Sequence, residues 1–595
     1  MEKFAKLIVA AGLSGGLFFT SVNAAIYRVI ETGNKPGLEY TFAQQENTQG
    51  EKALAGAGIY NFPVQYQYFK DDHFDKIKTY AKANHQRVID LNDLEDFTAL
   101  KAGRPTANDL AWVKHWLQAI DDLKFQKVGD SAVLTQLNGT LEEIVVFDTP
   151  FADGRLTRST TNVVNGITDE GWIFGSASAP YLPLAFTDSD NDEVTYWLRD
   201  FTRRSFLTTD QGGTIQSIVP PEAEHGGESA ILAINNNRVA VGYASTGLNV
   251  NVREFIADDS GGCADPDVLE DLPYQVCVQE RREGAYHLSA YKWVLDEHGE
   301  VISSENLGTL VTPNAADKRV YIAKAQAVNN FGVAVGFAHG WRDENETEPV
   351  EDEERRTYAV VYKNGEVKGF TEDHSQYYNS QALDINDQGI AVGYAWTNIS
   401  GEARSKFYYV DTNVEQMQMV RPRDYFTGSS SIARAINENG MIVGSGEVET
   451  HNASSINLNE VNPRRRHAFL YDLHRDTFMN INDLLPCDSP HTIIEASDIN
   501  DDNEIFANAI VKVERRDAKG ELMRDADGVV DKEDVVRAVK LVPVAGESEG
   551  CNAAVEKVER QGAGSALLSF FALLTLVLRR KLHFRERAGT AANSL

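Results

Sequence analysis

Basic residues are in deficit: 57 Lys and Arg stand against 88 Asp and Glu, leaving a net charge of −31 over 595 residues. Such a surface repels phosphate instead of releasing counterions onto a basic groove, which argues against nonspecific nucleic-acid binding. Cysteine is also scarce. The four present, Cys263, Cys277, Cys487 and Cys551, include no Cys-x-x-Cys pair and sit beside no His cluster, so the usual zinc-ligand spacing is missing. There is no His-Glu-x-x-His helix and no Gly-x-x-x-x-Gly-Lys phosphate loop, which removes two common routes to hydrolysis. The string His225-Gly226-Gly227-Glu228-Ser229 has the glycines of an oxyanion loop but reads as a Gly-rich connection.

What the chain has instead is a repeat. A run of small residues, an Asn-containing turn and a second run ending at Gly recur at 233–242, 327–336, 383–393 and 435–444, with looser copies at 166–175 and 498–507. The third position of the phrase is Thr168, Asn235, Asn329, Asn386, Asn437 and Asn500. Asn bonds its own backbone two residues on, and Gly accepts the positive φ that closes such hairpins. A second, aromatic-rich hairpin follows most copies: Lys406 to Val410 with Gln416 to Val420, Ala290 to Leu295 with Val301 to Leu307, Tyr358 to Tyr362 with Val367 to Thr371, His467 to Asp472 with Thr477 to Ile481, and Val194 to Arg199 with Ser205 to Thr209. Four antiparallel strands per unit is the make-up of a propeller blade. Ser131 to Leu137 and Glu142 to Phe147 form one more outer hairpin, implying a degenerate inner hairpin near Ala53 to Phe69. The expectation is an all-β, seven-bladed β-propeller over 25–550, with six or eight blades left open. The orphan strand Ile26 to Glu31 should pair with Val535 to Val542 and close the ring.

Uneven repeat spacing marks insertions. In 73–125, Leu110, Val113, Leu117 and Ile120 recur at helical spacing after Asn108, a candidate N-cap, so two or three helices should cap one face. Residues 258–285 carry two cysteines, Asp343 to Glu354 is acidic, and Glu514 to Asp534 is charged. Within the last, Asp525, Asp527 and Asp531 have the alternating oxygens calcium favours but lack the terminal Glu of an EF-hand, so a solvated turn competes with a weak calcium site and no other cofactor is expected. Lys3 and Lys6 before the apolar stretch Leu7 to Phe19 read as a signal peptide over 1–24, cut between Ala24 and Ala25. A linker over 551–562 leads to an apolar membrane or sorting helix, 563–578, and a basic cytoplasmic tail, 579–595. In an oxidising compartment the favoured disulfides are Cys263 with Cys277 and Cys487 with Cys551, two of the pairings that four cysteines allow.

The Ala-Ile-Asn-x-x-Gly-x-x-Val-Gly phrase together with His467-Ala468-Phe469 resembles the HAF repeat of bacterial extracellular proteins, and the arrangement is similar to an uncharacterised gamma-proteobacterial envelope family. Gly562-Ala563-Gly564-Ser565, an apolar helix and Arg579-Arg580-Lys581 look like a GlyGly-CTERM tail, although Ala563 interrupts the paired Gly and fourteen residues follow Lys581. These resemblances imply export across the inner membrane, attachment through the C-terminal helix or release by a sorting protease, and no known activity. The functional expectation is an envelope-attached, non-enzymatic binding or scaffold protein whose partner is a protein or polysaccharide. The alternative is a glycosidase or lyase with carboxylates converging in the propeller channel.

Overall fold

The computed structural model describes residues 26–545 apart from 87, 89, 90, 138, 313–316, 344–354 and 451–463. The leader with Ala24 and Ala25, Cys551 and the apolar run 563–578 lie outside the described residues. Among the described residues, no helix is long and apolar enough to cross a membrane.

Seven small antiparallel sheets make the blades of a β-propeller, with innermost strands Leu38–Glu46, Asn162–Ile167, Ser229–Ile234, Ala323–Val328, Tyr378–Ile385, Ser431–Ile436 and Thr492–Ile499. The seventh blade closes as the repeat predicts. Ile26–Glu31 forms its outer edge against Lys532–Val544, with Val29 opposite Leu541 and Glu31 opposite Val539. Cores lie between blades, not within them. Seven of the nine buried clusters each join two successive blades, such as Trp172, Phe174 and Leu207 of blade 2 against Ile231, Tyr291 and Trp293 of blade 3. The other two lie under helical insertions.

Every innermost strand carries a register shift two or three residues before its turn, as between Ala325 and Ala327 or Ala382 and Asp384. This bulge explains the Gly that ends the repeat. A Cβ on Gly175, Gly242, Gly336, Gly393 or Gly444 would lie 1.9 to 2.1 Å from a carbonyl oxygen of the paired strand. Only a residue without a side chain permits that approach.

Several details differ from the sequence reading. The inner hairpin of blade 1 is Leu38–Glu46 with Lys52–Ile59, not 53–69. Its turn is Asn47-Thr48-Gln49-Gly50, a seventh copy of the Asn turn, hidden because the preceding Gln44, Gln45 and Glu46 are polar. In blade 2 the third and fourth strands are Arg204–Thr208 and Gln216–Ile218, whereas Glu193–Leu198 pairs with Leu182–Thr187 outside the blade. The aromatic pattern misled because Trp197 is buried against the helical insertion, edge-on to Tyr68 at 5.4 Å, not between blades. Blade 5 has three named strands, its fourth position reduced to a bridge between Tyr409 and Val420.

The helical insertion consists of α1 (Asp71–Asn84), α2 (Phe97–Lys101) and α3 (Ala107–Ala119). Leu110, Val113 and Leu117 are buried as the periodicity requires. The N-cap is Thr106, whose side chain accepts the Asp109 N–H, while Asn108 holds the 92–93 loop through its amide. The 258–285 insertion is helical as well, with α4 (Val250–Ala257), α5 (Pro266–Leu269) and α6 (Tyr274–Arg282). Its Cys263–Cys277 disulfide forms as expected. Cys487 is also disulfide-bonded, to a partner outside the described residues.

Candidate functional site

The two faces of the ring differ sharply, and the cause is local. On one face lie the inner turns. Each ring Asn uses its Oδ1 to cap its own turn: Asn386 Oδ1 accepts the Ile390 N–H at 2.9 Å and Asn437 Oδ1 the Met441 N–H at 2.9 Å. Turn chemistry accounts for only half of the side chain. At four successive positions the Nδ2 donates across the blade boundary to the equivalent carbonyl of the next turn, Asn235 to Asn329 at 2.8 Å, Asn329 to Asn386 at 3.1 Å, Asn386 to Asn437 at 3.2 Å, and Asn437 to Asn500 at 2.8 Å, whereas the Asn500 Nδ2 donates to Glu504 of its own turn at 2.9 Å. A second chain of bonds runs one residue on, from the N–H of Asn330 to Asp387 and of Asp387 to Glu438. Where the ring residue is Thr168 it has no amide to offer, and the boundary to blade 3 is held by Arg238 against Glu170 at 2.7 Å. The sequence signal for this belt was the Asn itself; its second bond needs the neighbouring blade.

The axis on this side is lined by acidic groups already engaged. Asp384 and Asp498 occupy the same position, two residues before the ring Asn in blades 5 and 7. Asp384 accepts the N–H of Ile436 at 2.9 Å and of Ile385 at 2.8 Å; Asp498 accepts those of Glu46 and Ile499, both at 3.0 Å. Gln45 plays this part in blade 1, accepting the Ile167 N–H at 3.0 Å. Burial pushes the Asp384 carboxyl up to about 6 and the Asp498 carboxyl up to about 7, the latter helped by the charge of Asp384. Glu495 is ion-paired with Arg434 at 2.8 Å.

A pH prediction follows from the two raised carboxyls. The folded state holds their protons more tightly than the unfolded chain, so their contribution to stability is complete below about pH 4 and is lost as pH rises through 6 and 7. Replacing Asp498 by Asn keeps an acceptor oxygen and removes the charge. The thermal midpoint of D498N should therefore gain on wild type progressively between pH 5 and 8, and a constant offset across that range would show that Asp498 does not titrate there.

The opposite face carries the long described insertions, because each arises between the second and third strand of a blade: α1 to α3 in blade 1, the 182–198 hairpin in blade 2, α4 to α6 in blade 3 and 515–531 in blade 7. The acidic run 343–354 lies outside the described residues but for Asp343. The 515–531 insertion folds as two tight turns. Asp517 Oδ1 accepts the N–H groups of Lys519 and Glu521, and Asp525 Oδ1 those of Asp527 and Val529. Asp525, Asp527 and Asp531 are therefore arranged by turn bonding, and among the described residues no group of three His, Cys, Asp or Glu is placed to hold a metal. Lys519 Nζ donates to the Pro105 carbonyl at 2.7 Å, tying this insertion to the cap.

Two adjoining cavities open where blade 7, blade 1 and the helical cap meet. One, of about 520 Å³, is lined by Lys35, Tyr60, Asn61, Glu514, Arg516, Lys519 and Arg537 among others. Its neighbour, of about 360 Å³, shares Tyr60 and Arg516 and adds Tyr40, Lys114, His115 and Asp130. Lys114 is paired with Asp130 at 2.9 Å. Burial pushes the Tyr60 hydroxyl up to about 12 and lowers the His115 imidazole below its usual range. Nearer the axis on this face, Glu228 precedes the inner strand of blade 3 and Lys324 sits in that of blade 4. Burial raises the Glu228 carboxyl and lowers the Lys324 ammonium to about 8, with the Arg203 charge acting in the same direction on Lys324. Sequence reading singled out none of these cavity residues, because they come from segments about 500 positions apart.

The solved structures that match the chain are distant. A Trypanosoma rangeli sialidase in complex with sialic acid shares 10% identity over 71% of this chain, with a TM-score of 0.28, and the chain spans 58% of that protein's length. A fructofuranosidase from Schwanniomyces occidentalis complexed with fructose shares 8% identity over 88% of this chain and 96% of its own, with a TM-score of 0.18. No curated protein matches the chain by sequence. The profile of one family, described as protein of unknown function (DUF3466), matches residues 4–581, and the chain belongs to that family.

Proposed function

We propose that this protein is a non-enzymatic binding or scaffold module of the cell envelope, engaging a protein or polysaccharide partner through the face that bears the insertions. The observation that carries this reading is the asymmetry of the ring. One face is closed by short turns laced together from blade to blade, whereas helices, hairpin and cavities all emerge on the other. A rigid body displaying variable loops on one side is a common way to build a recognition surface. The channel carboxylates Asp384 and Asp498 support it, since both oxygens of each are used to hold neighbouring backbone. Calcium is not required by the reading. Export through the leader and retention by the apolar run 563–578, with release by a sorting protease, extend it to location.

The alternative, an enzyme cutting or eliminating across a glycosidic bond, finds its best residue in Glu228. A carboxyl raised by burial beside a lowered ammonium has the environment of an acid–base pair. Incubating the protein with envelope and culture-supernatant material from the source cells tests both. Stoichiometric retention of an unaltered protein or glycan supports the binding module. Shortened or unsaturated glycans that disappear with Glu228→Gln would establish the enzyme instead.

A further inference from the structure

The larger cavity runs against the charge of the whole chain. In a protein of net charge −31, its ionisable lining is Lys35, Arg516, Lys519 and Arg537 with a single carboxylate, Glu514. Those four cations come from three separate places: the link into blade 1, the blade 7 insertion and the third strand of blade 7. Among the described residues none of them has a carboxylate within ion-pair distance. Arg516 and Lys519 bond backbone carbonyls, of Gly520 at 2.7 Å and Pro105 at 2.7 Å. Arg537, only 8% exposed, donates through Nη1 to the carbonyls of Glu39 and Val536. Burial lowers its pKa, the mark of a guanidinium that has lost water without gaining a full counter-charge. Burying a cation in this way is costly unless an anion arrives to share the site.

The rest of the wall tells what kind of anion. Asn61 supplies an amide and Tyr60 a ring beside the positive cluster, and a volume of about 520 Å³ falls in the range of small-molecule and oligomer subsites. Aromatic surface, a neutral amide and several cations together suit an oxyanion carried on a polyhydroxylated body better than a bare ion. We infer that this cavity binds an acidic saccharide, its carboxylate or sulfate groups held by Lys35, Arg516, Lys519 and Arg537 and its sugar body placed against Tyr60. The inference rests on the binding-module reading and names its ligand chemistry.

Titration calorimetry of the full chain with tetragalacturonate, a sulfated disaccharide and maltotetraose tests it. Binding of at least one acidic probe, with affinity falling as NaCl is raised from 50 to 500 mM and at least tenfold weaker binding of the neutral probe, is the expected result. Which acidic probe binds tells carboxylate from sulfate. The variant K35Q/R516Q/K519Q leaves the buried Arg537 in place and should weaken acidic binding at least tenfold while it still unfolds in one cooperative transition. Tyr60→Leu, which leaves the charge intact, should weaken the saccharide more than inorganic sulfate. Equal affinity for the neutral probe, no binding of any probe, or wild-type affinity in the triple variant overturns the inference. The broader reading fails separately: if envelope material is retained equally by the triple variant, the binding module stands and only the cavity assignment falls, whereas retention of nothing by wild type removes both.

Discussion

Gly336→Ala is expected to destabilise the fold by about 3 kcal/mol or more, the upper end of what overpacking a core costs. The new Cβ would meet the Lys324 carbonyl oxygen at 1.9 Å, and backbone on the neighbouring strand cannot step aside as a flexible side chain could. Relief requires undoing the bulge between Ala325 and Ala327, which would move Ala327 from the core between blades 4 and 5. Gly247 is the control. It also lies at a register shift, but its nearest non-neighbouring atom would be 3.8 Å away, on His287, so Gly247→Ala should change stability by no more than about 1 kcal/mol in either direction. Denaturant midpoints of the two variants decide the matter. Similar midpoints would mean that the ring relaxes around the methyl and that the repeat glycine serves only the turn.

The second large effect concerns the Asn belt. Asn386→Ala strips two polar groups of their partner, the Ile390 N–H that its Oδ1 accepts and the Asn437 carbonyl to which its Nδ2 donates, and removes the side chain that links blades 5 and 6. Each unsatisfied buried group costs on the order of 1–3 kcal/mol, so a total loss of about 3 kcal/mol is expected. Asn386→Asp separates the two roles, since it keeps the turn acceptor and replaces the inter-blade donor with an oxygen facing the Asn437 carbonyl. It should lose at least about 1 kcal/mol even though the turn is intact. If the Asp variant unfolds with wild-type midpoint, the belt contributes nothing and the Asn is there for its turn alone.

Much of this architecture could be read along the chain because a propeller repeats a local unit. Hairpin turns and strand alternation are decided within tens of residues, by residues such as Asn386, Gly389 and the apolar runs beside them. The readings that failed did so where a residue's partner was remote. Trp197 sits in a strand that looks like a blade strand, yet it is buried by the cap, edge-on to Tyr68. Asn47 carries the same turn as its six counterparts but follows polar residues, because Gln45 and Glu46 face other blades: Gln45 accepts a bond from Ile167, and Glu46 pairs with Lys540 at 2.5 Å.

The candidate site was the least legible part. Charge along the chain placed Arg516 and Lys519 in a mixed, solvated insertion and gave no reason to set them beside Lys35 or Arg537. Only ring closure, which pairs residues 26–31 with 539–544, puts the first and last blades side by side and makes one cavity of their loops. The sequence by itself determined the blade, its turn and its glycine, since these depend on backbone geometry over a few residues, whereas the count of seven, left open by one either way, was decided by the closed ring. The tertiary structure decided which face would be laced shut, which would carry the insertions, and which unpaired cations would meet, because each depends on neighbours that the chain reaches only by going round the ring.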